Sequence, residues 1–278
     1  MNVFDLHCDT ATAAFDAGKT MSGFDLPLDR APYGRWVQVF AVFLSDSVAN
    51  ALTRFRGVYQ FAKRDAEFYV CEPIFSVENA GKLLCEDVEN RLDNDLRGIK
   101  MLSLGYNADG PLCGGCRGAN VGLTQLGIEV MARAQRRGII IDCSHCSDAT
   151  FDDIARHTAA PFVASHSLSR AVCDHPRNLT DDRLKVIFDM GGLVGLNFFP
   201  EFLGKNPLDA LYKNIDRMLG LGGENCIAIG SDTDGAPLMS CCKPHLGELY
   251  GDICETFGQR LADKIFYQNA ASFMGYTV

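Results

Sequence analysis

The 278-residue sequence predicts an α/β fold, a single (β/α)8 TIM barrel that occupies residues 1–278 as one domain. Eight apolar segments typical of buried parallel strands each precede a segment with helical periodicity. No change of composition marks a linker, and polar residues with metal-ligand chemistry recur where the strands end. Active sites of such barrels lie at the carboxyl ends of the strands, so the sequence predicts a metal site at that face.

The strands are predicted from short apolar runs that end on a polar residue. In one such run Gly138 precedes three isoleucines, and Asp142 follows them. A strand buried on both faces needs no alternation of polar and apolar residues, so this pattern is typical of a parallel sheet. It predicts strands at residues 3–6, 35–43, 70–77, 99–104, 138–141, 161–165, 193–198 and 227–231.

The helices are predicted between the strands from apolar residues three and four positions apart. Within residues 50–67 this spacing is kept by Leu52, Phe55, Val58, Tyr59 and Ala62. Thr124 is a typical N-cap for the helix that follows it, and acids at 181 and 182 favour a helix start at 180. The other helices are predicted at residues 10–19, 83–96, 148–157, 208–219 and 248–274.

An open doubly wound sheet is the main alternative to the barrel. When that fold binds dinucleotides, a glycine-rich fingerprint follows its first strand, and none follows residues 3–6 here. The barrel is therefore favoured. Residues 105–122, with six glycines, form a loop long enough to serve as a functional lip of the barrel.

Composition argues against several classes of protein. The net charge is −9 and the basic residues are scattered, so nucleic acid and anionic membranes are poor candidate partners. No window approaches the roughly eighteen unbroken apolar residues of a membrane span, and a first strand starting at residue 2 or 3 leaves no room for a signal peptide. The twelve cysteines are interpreted as reduced thiols, since disulfide frameworks are typical of short secreted chains, and a cytoplasmic location is expected.

Candidate metal ligands stand at the ends of five predicted strands. They are His7, Asp9, Glu78, His145, His166 and Asp232. Each has an ordinary explanation by itself, because such a histidine often only forms hydrogen bonds and an acid can cap a helix or pair with an arginine. Together they would crowd unpaired polar groups into one mouth, and a bound divalent cation relieves that crowding. Nitrogen and oxygen ligands favour zinc, and a shared carboxylate makes a two-metal site.

Cysteines near these ligands leave an alternative open. Cys8 lies between two candidate ligands, but strand alternation turns it to the opposite face, where packing is its expected role. Cys113 and Cys116 have CxxC spacing, and Cys143 and Cys146 flank a candidate histidine. A redox or structural zinc site built from these thiols is therefore the alternative interpretation.

The sequence resembles the membrane (renal) dipeptidase family of zinc peptidases, within the amidohydrolase-like barrels. The similarity covers most of the chain and is tightest over residues 123–203, in the segments IIIDCSHCSDATFDDI, PFVASHSLSRAVCDHPRNLTDD and GGLVGLNFFPEFL. HCDT at residues 7–10 and IGSDTDG at 229–235 resemble the family's two end signatures. Such an ordered series of matches is highly specific.

The resemblance implies two zinc ions per chain and hydrolysis of dipeptides by a metal-bridging hydroxide. It implies that His7 and Asp9 bind one ion and that His145 and His166 bind the other. Glu78 would bridge both ions and so take part in catalysis. The resemblance also suggests a homodimer.

The resemblance further implies which residues meet the substrate. Asp232 would contact the hydroxide and transfer the proton, and Arg177 would hold the terminal carboxylate with its forked guanidinium. Tyr106 stands where the family usually has a substrate-contacting histidine; its hydroxyl can donate a hydrogen bond but cannot become positively charged. Phe199 stands where many relatives have a tyrosine. These two differences affect substrate preference and rate rather than metal binding.

Three other functions remain open at this stage. The same metals could serve the hydrolysis of a lactam, a lactone or a phosphoester. The barrel could bind metal with little turnover, given Tyr106 and Phe199. A thiol oxidoreductase could use Cys113 and Cys116. The expected partner under the leading interpretation is a small dipeptide substrate.

Overall fold

Eight parallel strands close into a barrel in the order of the sequence in the computed structural model, which describes residues 1–30, 33–237 and 246–278. The predicted (β/α)8 fold is confirmed. The strands are β1 (Val3–Cys8), β2 (Trp36–Phe43), β3 (Glu72–Glu78), β4 (Ile99–Ser103), β5 (Ile140–Asp142), β6 (Val163–Ser167), β7 (Leu193–Leu196) and β8 (Ile227–Ile229). β1 pairs with β8 and closes the barrel.

Helices follow the strands around the barrel. They are α1 (Thr10–Ala17), α2 (Ala51–Ala66), α3 (Val88–Asn90), α4 (Gln125–Arg136), α5 (Asp148–His157), α6 (Asp181–Asp189), α7 (Pro200–Leu203), α8 (Pro207–Gly220), α9 (Gly247–Phe257), α10 (Gln259–Asp263) and α11 (Asn269–Phe273). Short 3-10 turns lie at Met21–Gly23, Ala80–Lys82 and Gly223–Asn225, and π-helical turns at Arg91–Asp95 and Lys264–Gln268.

Side-chain caps fix the starts of several helices. Thr124 accepts a hydrogen bond from the Gly127 N–H at the start of α4, as predicted. Ser147 accepts one from the Thr150 N–H and thereby starts α5 directly after the loop that contains His145. These caps satisfy backbone donors that a helix start leaves unpaired, so they set where each loop at the barrel mouth ends.

The helix predicted over residues 83–96 is wrong. The segment contains only the three-residue α3 and the π-helical turn Arg91–Asp95. Asp87 has φ 52°, a left-handed backbone conformation that no helix interior tolerates, and it separates this turn from the residues before it. The predicted tail helix at 248–274 is divided in the same way at Gly258, where φ is 88°.

Two clusters of buried apolar side chains stabilise the barrel. The larger one lies between the strands and the surrounding helices and includes Phe40, Phe55 and Phe162. A smaller one joins Phe4 of β1 to the carboxyl-terminal segment through Tyr267. Within the described ranges, no helix has the length and apolar character needed to cross a membrane.

Candidate metal and catalytic site

The side chains predicted to bind metal meet at the carboxyl end of the barrel. β1 supplies His7 and, directly after it, Asp9; β3 ends on Glu78, the loop after β5 supplies His145, and β6 contains His166. Their ligand atoms form two overlapping groups in which all atoms lie within 4.8 Å of one another. The groups are His7, Asp9 and Glu78, and Glu78, His145 and His166.

Glu78 lies between the two groups and belongs to both. Its Oε2 is 3.7 Å from His7 Nε2, and its Oε1 is 2.9 Å from His145 Nε2 and 3.9 Å from His166 Nε2. In the first group, His7 Nε2 lies 3.5 Å from Asp9 Oδ2. Two ligand atoms at about 2.1 Å from one tetrahedral zinc lie roughly 3.4 Å apart, so most of these separations suit a pair of ions.

Hydrogen bonds on the far side of two imidazoles fix which nitrogen faces the site. His145 Nδ1 lies 2.8 Å from Asn107 Oδ1, an acceptor, so Nδ1 donates. Ser165 Oγ donates to Asp142 Oδ2 and lies 2.7 Å from His166 Nδ1, so that Nδ1 donates as well. Both Nε2 atoms therefore present lone pairs, 2.9 Å apart. A bound cation is what makes such an approach favourable.

Two polar atoms of the first group are buried without a hydrogen-bond partner. They are His7 Nε2 and Asp9 Oδ1. Asp9 occupies the N-cap position of α1 but makes no capping hydrogen bond, so capping does not explain its placement. Buried polar atoms without a partner cost free energy. A metal ion coordinated by these atoms would remove that cost, so the residues fit a metal.

The crowding of acids and imidazoles shifts the pKa values of the site. Burial acts to lower the pKa of His7, but the nearby carboxylates of Asp9 and Glu78 outweigh burial and raise the pKa to about 10. Burial lowers the pKa values of His145 and His166 and keeps both imidazoles neutral. Burial raises the pKa of Glu78, and the charge of Asp9 adds to that shift. The main cause of the raised pKa of Glu78 is thus its burial, which disfavours the charged carboxylate.

Asp232 lies after β8 with its backbone in a left-handed conformation, φ 62°. Its N–H donates to the His7 carbonyl at 3.1 Å, and Asn197 Nδ2 donates to its Oδ2 at 3.0 Å. Burial raises the pKa of Asp232 to about 6. Asn197 is a site residue that the sequence analysis does not predict. It directly follows β7, so the signal that could have identified it is a polar residue at the carboxyl end of a strand.

Gly235 allows two site carboxylates to approach the same stretch of backbone. A Cβ atom on this residue would lie 2.2 Å from Asp9 Oδ2 and 2.6 Å from Asp232 Oδ1. Real Cβ atoms do not approach oxygen so closely, and both neighbours are site residues. The glycine of IGSDTDG is therefore a steric requirement of the site, a role that the sequence motif alone did not reveal.

A cavity of about 460 Å³ opens onto this site. Asp9, Glu78, His145 and Asp232 are among its lining residues. Its aromatic lining consists of Phe43, Tyr106, Phe199 and Phe202. The ring of Tyr106 lies 4.3 Å from that of His145, and burial raises the pKa of its hydroxyl, so it is a neutral donor beside the predicted ligands.

Arg177 is buried beside this site, with 4% of its surface exposed. Its Nη2 donates to the His166 carbonyl at 3.0 Å, and its Nε has no hydrogen-bond partner. Its Cζ lies 5.3 Å from the ring centre of Phe202. Among the described residues, Arg177 forms no ion pair with an acid, and it does not line the cavity, whereas Phe202 does.

The cysteines do not assemble into a metal site within the described part of the chain. None of the groups that could hold an ion contains a thiol. Cys116 donates to Asn107 Oδ1 at 3.3 Å, and Cys8 is fully buried in the core, as expected for packing. The described cysteines are all free thiols, Cys113 among them.

Comparison with protein families and curated relatives gives a consistent result. The model of the membrane dipeptidase family, peptidase family M19, matches residues 45–243. A Klebsiella pneumoniae protein described as an uncharacterized protein in the pqqA 5' region is 36% identical over 162 residues, which cover 53% of this chain and 58% of that protein. An uncharacterized dipeptidase of Schizosaccharomyces pombe is 32% identical over 152 residues, 50% of this chain and 36% of the relative. The matched stretches thus span little more than half of these relatives at most.

Two solved structures have the same fold. A metallo peptidase from Rhodobacter sphaeroides, liganded with a phosphinate mimic of the dipeptide L-Ala-D-Ala, superposes with a TM-score of 0.84 at 21% identity over 100% of this chain and 99% of that one. An amidohydrolase from Pseudomonas aeruginosa superposes with a TM-score of 0.71 at 20% identity over 84% of this chain and 86% of its own. At these identities the likeness concerns the fold.

Proposed function

The chain belongs to the membrane dipeptidase family, and we propose that it hydrolyses dipeptides with the help of two zinc ions per chain. The observation that carries this proposal is the position of Glu78, whose two carboxylate oxygens face different histidines. One carboxylate that serves two neighbouring groups of ligands is what a two-metal site requires. The proposal treats residues 1–278 as one catalytic domain.

In this proposal five side chains hold the ions. His7 and Asp9 would bind one, His145 and His166 would bind the other, and Glu78 would be shared between them. The unpartnered His7 Nε2 and the lone pairs of the other two imidazoles support this assignment. When bound, the two ions would supply hydroxide at neutral pH and polarise the scissile carbonyl.

We assign the proton transfer to Asp232, which would accept the proton of the attacking water and deliver it to the leaving amine. Its pKa of about 6 suits a group that must gain and lose a proton near neutral pH. Asn197 donates to one oxygen, Oδ2, and so holds the carboxylate in one orientation. Asn197 is thus a positioning residue in this mechanism.

Arg177 would bind the free carboxylate of the dipeptide. Its buried guanidinium has no acidic partner among the described residues, and its Nε has no acceptor, so a substrate carboxylate would satisfy both. Phe202 lines the cavity beside this guanidinium, so a substrate would reach Arg177 past that ring. Tyr106, whose ring lies against His145, would donate a hydrogen bond to the substrate.

Metal analysis combined with a dipeptide panel tests the proposal. Purified protein is expected to contain two zinc ions per chain and to hydrolyse dipeptides with a free carboxylate. A chelator should remove the activity, and zinc should restore it. Carboxyl-amidated dipeptides serve as the matched controls and should be poor substrates. Equal hydrolysis of free and amidated dipeptides would instead indicate another metal-dependent amide hydrolase, and zinc without any hydrolysis would indicate a metal-binding barrel.

A further inference from the structure

Arg117 lies in the glycine-rich loop after β4 and lines the cavity above the site. It is the only side chain with a fixed positive charge among the described residues that line this cavity. The acids that line it are Asp9, Asp16, Glu78, Asp232 and Asp234. A single guanidinium among these acids is a feature that the proposed chemistry does not use.

The acids of the cavity are largely engaged by other groups. Arg54 donates to Asp16 Oδ2 at 2.7 Å, and Thr10 donates to Asp234 Oδ2 at 2.6 Å. Asp9 and Glu78 are the proposed metal ligands. The negative charge of these cavity acids is thus offset by cations or by hydrogen bonds. An anionic group of a substrate can therefore approach Arg117.

The guanidinium of Arg117 is held only loosely. Its Nη2 lies 4.0 Å from Glu201 Oε1, and the two side chains are 55% and 56% exposed. Exposed ion pairs of this length contribute little. The backbone is firmly placed, since the Arg117 N–H donates to the Asn107 carbonyl at 2.8 Å, and Asn107 also binds His145. Arg117 therefore stays near the site while its charged end remains available.

We propose that Arg117 binds a second carboxylate of the substrate, so that the enzyme favours dipeptides that contain aspartate or glutamate. This inference rests on the proposed dipeptidase function. A forked guanidinium matches a carboxylate with two parallel hydrogen bonds, whereas an uncharged amide side chain offers one weaker acceptor. Arg177 takes the main-chain carboxylate in the proposed function, which leaves Arg117 for the side chain.

Matched pairs of substrates test this assignment. Ala-Glu is compared with Ala-Gln, and Glu-Ala with Gln-Ala, each pair differing only in the charge of one side chain. The natural protein should prefer the acid in at least one pair by about fivefold in kcat/KM, mostly through KM. In Arg117→Gln the ratio of acid to amide should fall to about one. In Glu201→Gln it should rise, since a competing carboxylate is removed.

A charge-matched control separates direct contact between Arg117 and the substrate from the general electrostatic field of the protein. Arg64 is exposed on α2, and Arg64→Gln should keep the acid preference. The assignment is wrong if the natural protein shows no acid preference in either pair, or if Arg117→Gln slows acid and amide equally. Absence of turnover on every dipeptide would overturn the proposed function itself, whereas turnover without acid preference would overturn only the role of Arg117.

Discussion

The Glu78 carboxylate points one oxygen, Oε1, at His145, with 2.9 Å between that oxygen and Nε2 of the imidazole. Because this nitrogen presents a lone pair, the contact brings together two groups that repel each other unless a cation lies between them. The other oxygen of Glu78, Oε2, lies 3.7 Å from His7 Nε2 in the first group of ligands. Removing the charge of this one side chain should therefore affect both groups of ligands.

Glu78→Gln is expected to weaken both zinc ions together. An amide offers one neutral oxygen donor in place of a bridging anion, so affinity for each ion should fall by more than the roughly 10–100-fold typical of losing an outer hydrogen-bond partner. Zinc per chain after dialysis measures this. His145→Ala is the comparison and should retain more zinc than Glu78→Gln. Two zinc ions per chain with near-normal turnover in Glu78→Gln would contradict the bridging role.

Ser165→Ala should weaken metal binding without touching a ligand. The Ser165 hydroxyl connects Asp142 to His166 Nδ1, and its loss leaves the imidazole free to choose the wrong tautomer. Affinity for zinc should fall by about 10–100-fold, measured by competition with a chelator. Ser169→Ala is the matched control, because the Ser169 hydroxyl is also buried but has no hydrogen-bond partner. If the two substitutions lowered zinc affinity equally, the proposed role of Ser165 in orienting His166 would be wrong.

Gly235→Ala should disturb the site by steric contact alone. The added methyl group would meet Asp9 Oδ2 at 2.2 Å, so the Asp9 carboxylate must move. Zinc analysis should give about one ion per chain, with the loss on the His7 side. Gly251→Ala in α9 is the control, because its Cβ would meet nothing within 4 Å and alanine favours a helix by about 1 kcal/mol. That variant should keep both zinc ions and an equal or higher Tm.

The sequence predicted the parts of this molecule that depend on local pattern. Buried strands, caps such as Thr124 and histidines at strand ends can be recognised because each is specified within a few neighbouring residues. The helix predicted at 83–96 was wrong because the left-handed conformation of Asp87 interrupts a suitable apolar repeat.

The residues that orient the site were missed for a different reason. Asn107 and His145 are 38 positions apart, and Asn197 and Asp232 are 35 apart, so each hydrogen bond exists only once the barrel has closed. Composition and residue spacing in a single sequence do not predict such long-range pairs. The roles given to individual ligands, the homodimer and the cytoplasmic location remain predictions.

Asp232→Asn should separate chemistry from metal binding. The amide keeps the shape of the side chain but can no longer accept a proton, and general acid–base groups typically contribute roughly 10² to 10⁴ in rate. We expect two zinc ions per chain and a kcat lowered by at least about a hundredfold. Loss of zinc together with activity would make Asp232 a metal ligand, and proton transfer would then need another residue.

Arg177→Lys keeps the positive charge and removes only the planar fork that can hold both oxygens of a carboxylate. If Arg177 contacts the substrate, kcat/KM for free dipeptides should fall. The fall should correspond to a loss of roughly 1.5 to 3 kcal/mol of transition-state stabilisation, the range for a hydrogen bond to a charged group. Zinc content should not change, because Arg177 contacts the backbone of His166 rather than a ligand atom. Steady-state kinetics on free and carboxyl-amidated dipeptides is the measurement.

Free and carboxyl-amidated dipeptides distinguish a substrate-binding role of Arg177 from a purely structural role. Arg177 Nη2 donates to the His166 carbonyl, so a purely structural role would be to hold β6 in place. In that case Arg177→Lys would slow free and amidated dipeptides by the same factor, because both need the same metal site. If Arg177 binds the terminal carboxylate, only the free dipeptides lose their advantage. An equal loss would remove the reason to regard this protein as a peptidase specific for dipeptides.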